Sequence, residues 1–247
     1  MSITRKRNPV GRVLTAVLGF QLVLGGLLVI GDLQDGFSLP RMGPSSPSLT
    51  EPVRPGDQTR RFRPDRAVPG SAEPLPERLT LTVVSGGAAV LLEGAIEDGD
   101  APRILNQIRE LREPPTRAIL NSPGGSVRDA LELGRALRLD GMKTEMRAGD
   151  ICHSACPYLL AAGVSRTVPE TAFVGVHQHY FGKSTLLPAF VAVEDIQRGQ
   201  GEVMRYLDQM GIDPLVMQHA LVTPPDEIYV LLPEELVRYG FVEAAEE

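Results

Sequence analysis

From Val13 to Gly31 the chain runs nineteen residues without one charged side chain, and Arg5, Lys6, Arg7 and Arg12 stand directly before that stretch. At about 1.5 Å per helical residue it reaches about 28 Å, close to the hydrocarbon thickness of a bilayer and beyond the ~7–15 residues of a cleaved signal peptide's apolar core. Residues 13–31 therefore read as a transmembrane signal anchor. Val29-Ile30-Gly31 offers small and branched residues to a signal peptidase, but the length favours retention. The basic segment 1–12 should stay in the cytoplasm, leaving a single-pass protein whose remainder lies on the extracytoplasmic, periplasmic side. The alternative, a buried core helix, suits the glycines and the one-sided basic flank less well than a membrane does.

Residues 32–76 form the next unit. Nine prolines fall between Pro40 and Pro76, mixed with Ser, Gly and Arg and without helical or strand periodicity. Such a composition buries too little apolar surface to offset its ordering entropy, so a disordered linker is expected. Its six arginines from Arg41 to Arg66 are read as solvated charges more readily than as lipid contacts.

The body, residues 77–247, is acidic. Residues 1–76 carry a net charge of +4 within a chain of −6, which leaves −10 for the body and argues against a nucleic-acid partner, which would require a basic face. Strand-like and helix-like patterns alternate along it. Leu79–Val84 and Ala89–Leu92 are β-rich, 100–111 is helical, Arg117–Leu120 is a short apolar strand, and Val127–Leu139 is helical, with apolar residues at three- and four-residue steps. Strands are expected at 143–148, 173–177 and 228–231, and helices at 155–162, 188–210, 214–221 and 233–239. The alternation implies an α/β domain with mostly parallel pairing and a site at the strand-to-helix turns.

Two of those turns carry reactive chemistry. Asn121-Ser-Pro-Gly-Gly-Ser126 lies between a strand and a helix, where glycines can present backbone N–H groups to a developing oxyanion. Cys152-His-Ser-Ala-Cys156 puts Ser154 at the start of an apolar helix, where its alternative role is an N-cap. A His-Gln-His at residues 177–179 follows in a strand. His177 and His179 share one strand face, so spacing alone does not choose between them as the base for Ser154.

These elements, in this order, resemble the Clp protease proteolytic-subunit family of the crotonase fold. The resemblance rests on Asn121–Gly125, on Ser154 followed by Leu159-Leu-Ala-Ala-Gly163, on His177-Gln178, and on a closing helix ending in Tyr239-Gly240 before a hydrophobic segment. It implies a fold of repeated strand-strand-helix units, Ser154 as nucleophile, His177 as general base and acid, and oxyanion donors at Gly125 and Ala155. The family's aspartate position falls on Ile228, with Asp226 and Glu227 just before it. Asp226 is the expected third member, and a serine–histidine dyad is the alternative. The expected activity is serine-type peptide hydrolysis through an acyl-enzyme. It would need no cofactor or metal, and, away from a cytoplasmic ATP-driven unfoldase, it would act on short or unfolded peptide substrates. Homo-oligomers are common in this fold.

Cys152 and Cys156, the only cysteines, flank Ser154. One ends a strand and the other opens a helix, so they either bridge across the turn or remain two buried thiols; the bridge is expected. Two other functions fit the same residues less closely. One is a serine–lysine protease of the signal-peptide-peptidase kind, for which Lys143 and Lys183 are the only lysines in the body. The other is a non-catalytic envelope scaffold that keeps the fold.

Overall fold

The computed structural model describes residues 9–33, 58–62, 74–179 and 189–243. Two units separate along the chain, residues 1–45 and 46–247. In the first, α1 (Pro9–Leu33) is one helix of 25 residues. Among residues whose side chains are described, no helix is long and apolar enough to cross a membrane. Residues 26–31 of the expected anchor lie outside that set.

The second unit is mixed α/β with two mixed sheets. In chain order it contains β1 (Thr59–Arg61), β2 (Thr80–Val84), β3 (Ala89–Glu93), α2 (Asp100–Arg109), β4 (Arg117–Asn121), α3 (Val127–Leu139), β5 (Lys143–Glu145) and β6 (Ile151–His153). There follow α4 (Cys156–Ala162), β7 (Arg166–Thr167), β8 (Phe173–Val176), α5 (Ala189–Gln209), α6 (Met217–Val222), β9 (Glu227–Val230) and α7 (Pro233–Arg238).

The larger sheet has the order β2-β3-β4-β5-β7 and the smaller β1-β9-β8-β6. From β3 to β7 every pairing in the larger sheet is parallel, as are β6 and β8 in the smaller. The hairpin β2–β3 and the β9 pairings are antiparallel. A single parallel bridge, Ser122 to Cys152, stitches the end of β4 to β6 and so joins the sheets. Helix burial follows the sequence pattern: α3 turns Ala130, Leu131, Leu133 and Leu137 inward, while α4 is buried along its whole length. Tyr206 of α5 locks onto this layer by donating its hydroxyl to the Tyr158 carbonyl at 2.8 Å.

β7 has no counterpart among the expected strands, and β1 departs further from expectation. Residues 59–61, inside the stretch read as disordered linker, form β1 and pair with β9 as Thr59 to Tyr229, Arg60 to Ile228 and Arg61 to Glu227. Composition argued for disorder because three residues carry no readable period, and the stabilising partner lies far along the chain. The rest of the linker, 34–57 and 63–73, lies outside the described residues.

Candidate active site

The C-terminal ends of β4, β6 and β8 converge at the seam between the sheets, where parallel strands present their connecting turns. After β4, Asn121 fastens the neighbouring strand: its Oδ1 accepts the Ile151 N–H at 3.2 Å and its Nδ2 donates to Glu93 at 2.8 Å. Ser122, buried, folds the turn back by accepting the Gly124 N–H on its hydroxyl at 3.1 Å. Gly124 then holds φ +92°, and a Cβ there would stand 2.5 Å from Ser154 Cβ and 2.7 Å from Ala155 N. Only glycine lets this backbone lie against the next turn.

That next turn is unusual. Ser154 adopts φ +60°, left-handed for a residue with a side chain, and its N–H is held by the Gly175 carbonyl at 2.9 Å. Such a conformation costs about 1–3 kcal/mol and persists only when the surroundings enforce it. Here β6 enters from one side and α4 leaves from the other. The Cys152–Cys156 disulfide closes across them, with Cα atoms 5.0 Å apart and both residues buried.

The strained turn delivers the Ser154 hydroxyl to His177, 2.7 Å from Oγ to Nε2. His177 is 6% exposed, and its Nδ1 lies 3.0 Å from the Pro225 carbonyl. A carbonyl can only accept, so Nδ1 carries the ring proton and Nε2 presents its lone pair to the serine hydroxyl. Burial lowers the His177 pKa from its ordinary value, against a smaller opposing pull from the Pro225 carbonyl. The imidazole is therefore neutral at neutral pH, as a proton acceptor must be.

The neighbouring histidines take other parts. His179 Nε2 lies 2.7 Å from the Tyr158 hydroxyl, so the two members of the His-Gln-His are told apart by partner: only His177 reaches the serine. His153 has a buried Nε2 with no hydrogen-bond partner, and burial first, then the neighbouring His177, pushes its pKa down to about 4.

Gly125 is exposed, and its flanking groups bond to Ile96: Ile96 N–H donates to the Gly124 carbonyl at 2.8 Å and Ser126 N–H to the Ile96 carbonyl at 2.7 Å. The Gly125 N–H thus faces away from Ile96. Neither it nor the Ala155 N–H is spent on a backbone carbonyl among the described residues. Backbone donors beside a nucleophile can receive the negative oxygen of a tetrahedral adduct. Ser126, the other serine of the glycine turn, instead caps α3: its hydroxyl oxygen accepts the Asp129 N–H at 3.4 Å, and its one proton goes to the Asp129 carboxylate at 2.7 Å.

The expected third member requires correction. Asp226 is exposed, and the group at Nδ1 of His177 is the carbonyl of the residue before it. Its own backbone carbonyl accepts the Phe62 N–H at 2.8 Å. Pro225 meets His177 with its main-chain carbonyl, and no residue type announces a backbone carbonyl. Pro225, His153 and Phe62 carried no signal in the sequence that marked them for the site, whereas Gly124 lies in the Gly-Gly pair already read as a source of backbone donors.

Lys143 is exposed on β5, and Lys183 lies outside the described residues. Among the described residues, no group of three or more His, Cys, Asp or Glu side chains could hold a metal ion. A cavity of about 790 Å³ lined by Arg166, Val168, Phe173, Leu231 and Leu236 borders neither Ser154 nor His177. Comparison with protein-family models and with curated proteins gives no match.

Proposed function

We propose that this chain is a serine-type hydrolase acting on peptides or unfolded segments, in keeping with its resemblance to the Clp protease proteolytic subunit. One observation carries the reading: Ser154 Oγ stands 2.7 Å from His177 Nε2, while Nδ1 is committed to a carbonyl. In the first step Ser154 Oγ attacks the substrate carbonyl carbon as its proton passes to Nε2, and the carbonyl π electrons become an oxyanion facing the Gly125 and Ala155 N–H groups. The imidazolium then gives that proton to the leaving amine as the C–N bond breaks, leaving an acyl-serine. Water repeats the sequence, with His177 again taking the proton, and releases the acid. Each backbone donor in such a hole is worth about 3–4 kcal/mol of barrier.

The body is proposed to lie outside the cytoplasm behind a retained anchor. At about 1.5 Å per residue the 25 residues of α1 extend about 38 Å, more than a bilayer's hydrocarbon. A buried disulfide beside the nucleophile suits an oxidising compartment. Such a location offers no ATP to drive an unfoldase, so the enzyme would take substrates already extended.

The test is active-site labelling. A fluorophosphonate should label the native protein, fail on Ser154→Ala, label His177→Ala at least 100-fold more slowly, and label Ser126→Ala normally. A folded native protein that resists the probe would instead favour the non-catalytic scaffold, a reading helped by the missing carboxylate at Nδ1.

A further inference from the structure

Phe62 belongs to the stretch that precedes the body, yet its ring centroid lies 4.7 Å from that of His177, tilted by 52°, and 6.4 Å from that of His153. The strand that carries it is anchored at both ends. Val230 N–H donates to the Gln58 carbonyl at 3.0 Å, and Phe62 N–H donates to the Asp226 carbonyl at 2.8 Å. That second bond fixes the residue directly after Pro225, whose carbonyl holds His177 Nδ1. One short strand therefore touches the base twice, through a ring on the imidazole and through the main chain that orients it.

We propose that Phe62, delivered by β1, is a positioning residue for the Ser154–His177 pair: it covers the imidazole and secures the Pro225 carbonyl that sets its tautomer. The inference rests on the peptidase reading for its catalytic meaning, though not for its geometry. Without a carboxylate to grip Nδ1, the ring relies on a single neutral hydrogen bond, and a tilted aromatic contact adds about 0.5–1.5 kcal/mol of restraint. The groups facing His177 are Ser154 from the nucleophile turn, His153 from β6, the Pro225 carbonyl before β9, Phe62 from β1, and His179 two residues on; the nearby Asp226 side chain is exposed. None of the side chains in this shell supplies a fixed charge, so the covering of the ring governs how readily it takes a proton.

The test uses the full-length protein, whose four histidines allow each imidazole to be followed by NMR after selective isotope labelling. Phe62→Ala should slow fluorophosphonate labelling about tenfold, as expected of a loosened base. It should also raise the His177 midpoint toward that of a free imidazole, while Phe62→Leu moves both readings less and in the same direction. A residue that merely supported the fold would lower the melting temperature and leave the midpoint of the folded protein unchanged, which overturns the inference. Faster labelling of Phe62→Ala also overturns it, because Phe62 would then be an obstruction. Should Phe62→Ala fail to fold, Phe62→Leu decides by the same criteria. The NMR midpoint needs no turnover. A shifted midpoint in a protein whose native form cannot be labelled would sink the peptidase reading and leave the role of β1 intact.

Discussion

Pro225 offers His177 a carbonyl dipole where an aspartate would offer a full negative charge. The dipole fixes the tautomer but stabilises the imidazolium less, and burial opposes that cation further. The reactive form is the neutral ring, and its pKa is lowered, so the labelling rate should hold as pH falls through 6.5 and decline only below it. Rates measured from pH 4 to 9 check this, and a midpoint at 7 or above contradicts it. Because Asp226 points to solvent, Asp226→Asn should label within about twofold of the native protein; a hundredfold loss would restore the carboxylate to the mechanism. Gly124→Ala is the contrasting case. Its methyl would enter the space of Ser154 Cβ and Ala155 N at a backbone φ that side chains avoid, so labelling should fall at least 100-fold, the scale of one lost oxyanion donor. The meeting of Ser154 with His177 could be read ahead of the structure because side chains make it. Pro225 could not, since any residue there has the same carbonyl.

At the level of elements, the disulfide spans the join of β6 and α4 where Ser154 is strained. Its loop is short, so the cross-link removes little chain entropy, about 2 kcal/mol. Replacing both cysteines by serine should therefore lower global stability modestly, in a denaturant titration, while slowing labelling about tenfold or more as the serine relaxes from its left-handed conformation. Equal labelling rates in the native protein and the double variant would show that the turn holds itself. Elements with a strong period were legible: α3 has the bounds its apolar spacing gave, and α2 falls within its expected span. β1 and β7 were not, although β5, also three residues long, falls within its expected span. β7 has two residues and β1 three, too few for alternation to register, and each is stabilised by a partner distant in sequence. The Pro-rich surroundings of β1 made disorder the stronger local signal, and tertiary pairing overrode it.

Across the whole molecule, three histidines meet at the seam with lowered pKa values, His153 and His179 both pushed down to about 4, chiefly by burial. Their folded pKa values lie below the unfolded value near 6.5, so their stabilising effect is complete above that pH. It is lost as pH falls from about 6.5 toward 4, because the unfolded chain binds protons first. The melting temperature should drop steeply across that interval. His153→Asn should flatten the drop by removing a group worth up to about 3 kcal/mol; an unchanged slope would place the acid sensitivity elsewhere. The alternation of strands and helices made the α/β class legible, whereas no local pattern encodes the Ser122–Cys152 bridge that joins its two sheets.

The pairing of Thr59 with Tyr229 brings together segments far apart along the chain, with β1 made well before β9. A nascent chain leaving the ribosome carries Phe62 long before β9 exists to receive it, and the Pro225 carbonyl emerges only shortly before that strand. Until then the imidazole has neither its cover nor its orienting dipole. Under the proposed hydrolase reading, the Ser154–His177 pair would be completed only once β9 is made, a delay that would spare neighbouring unfolded polypeptides, and the chain itself, from earlier cleavage.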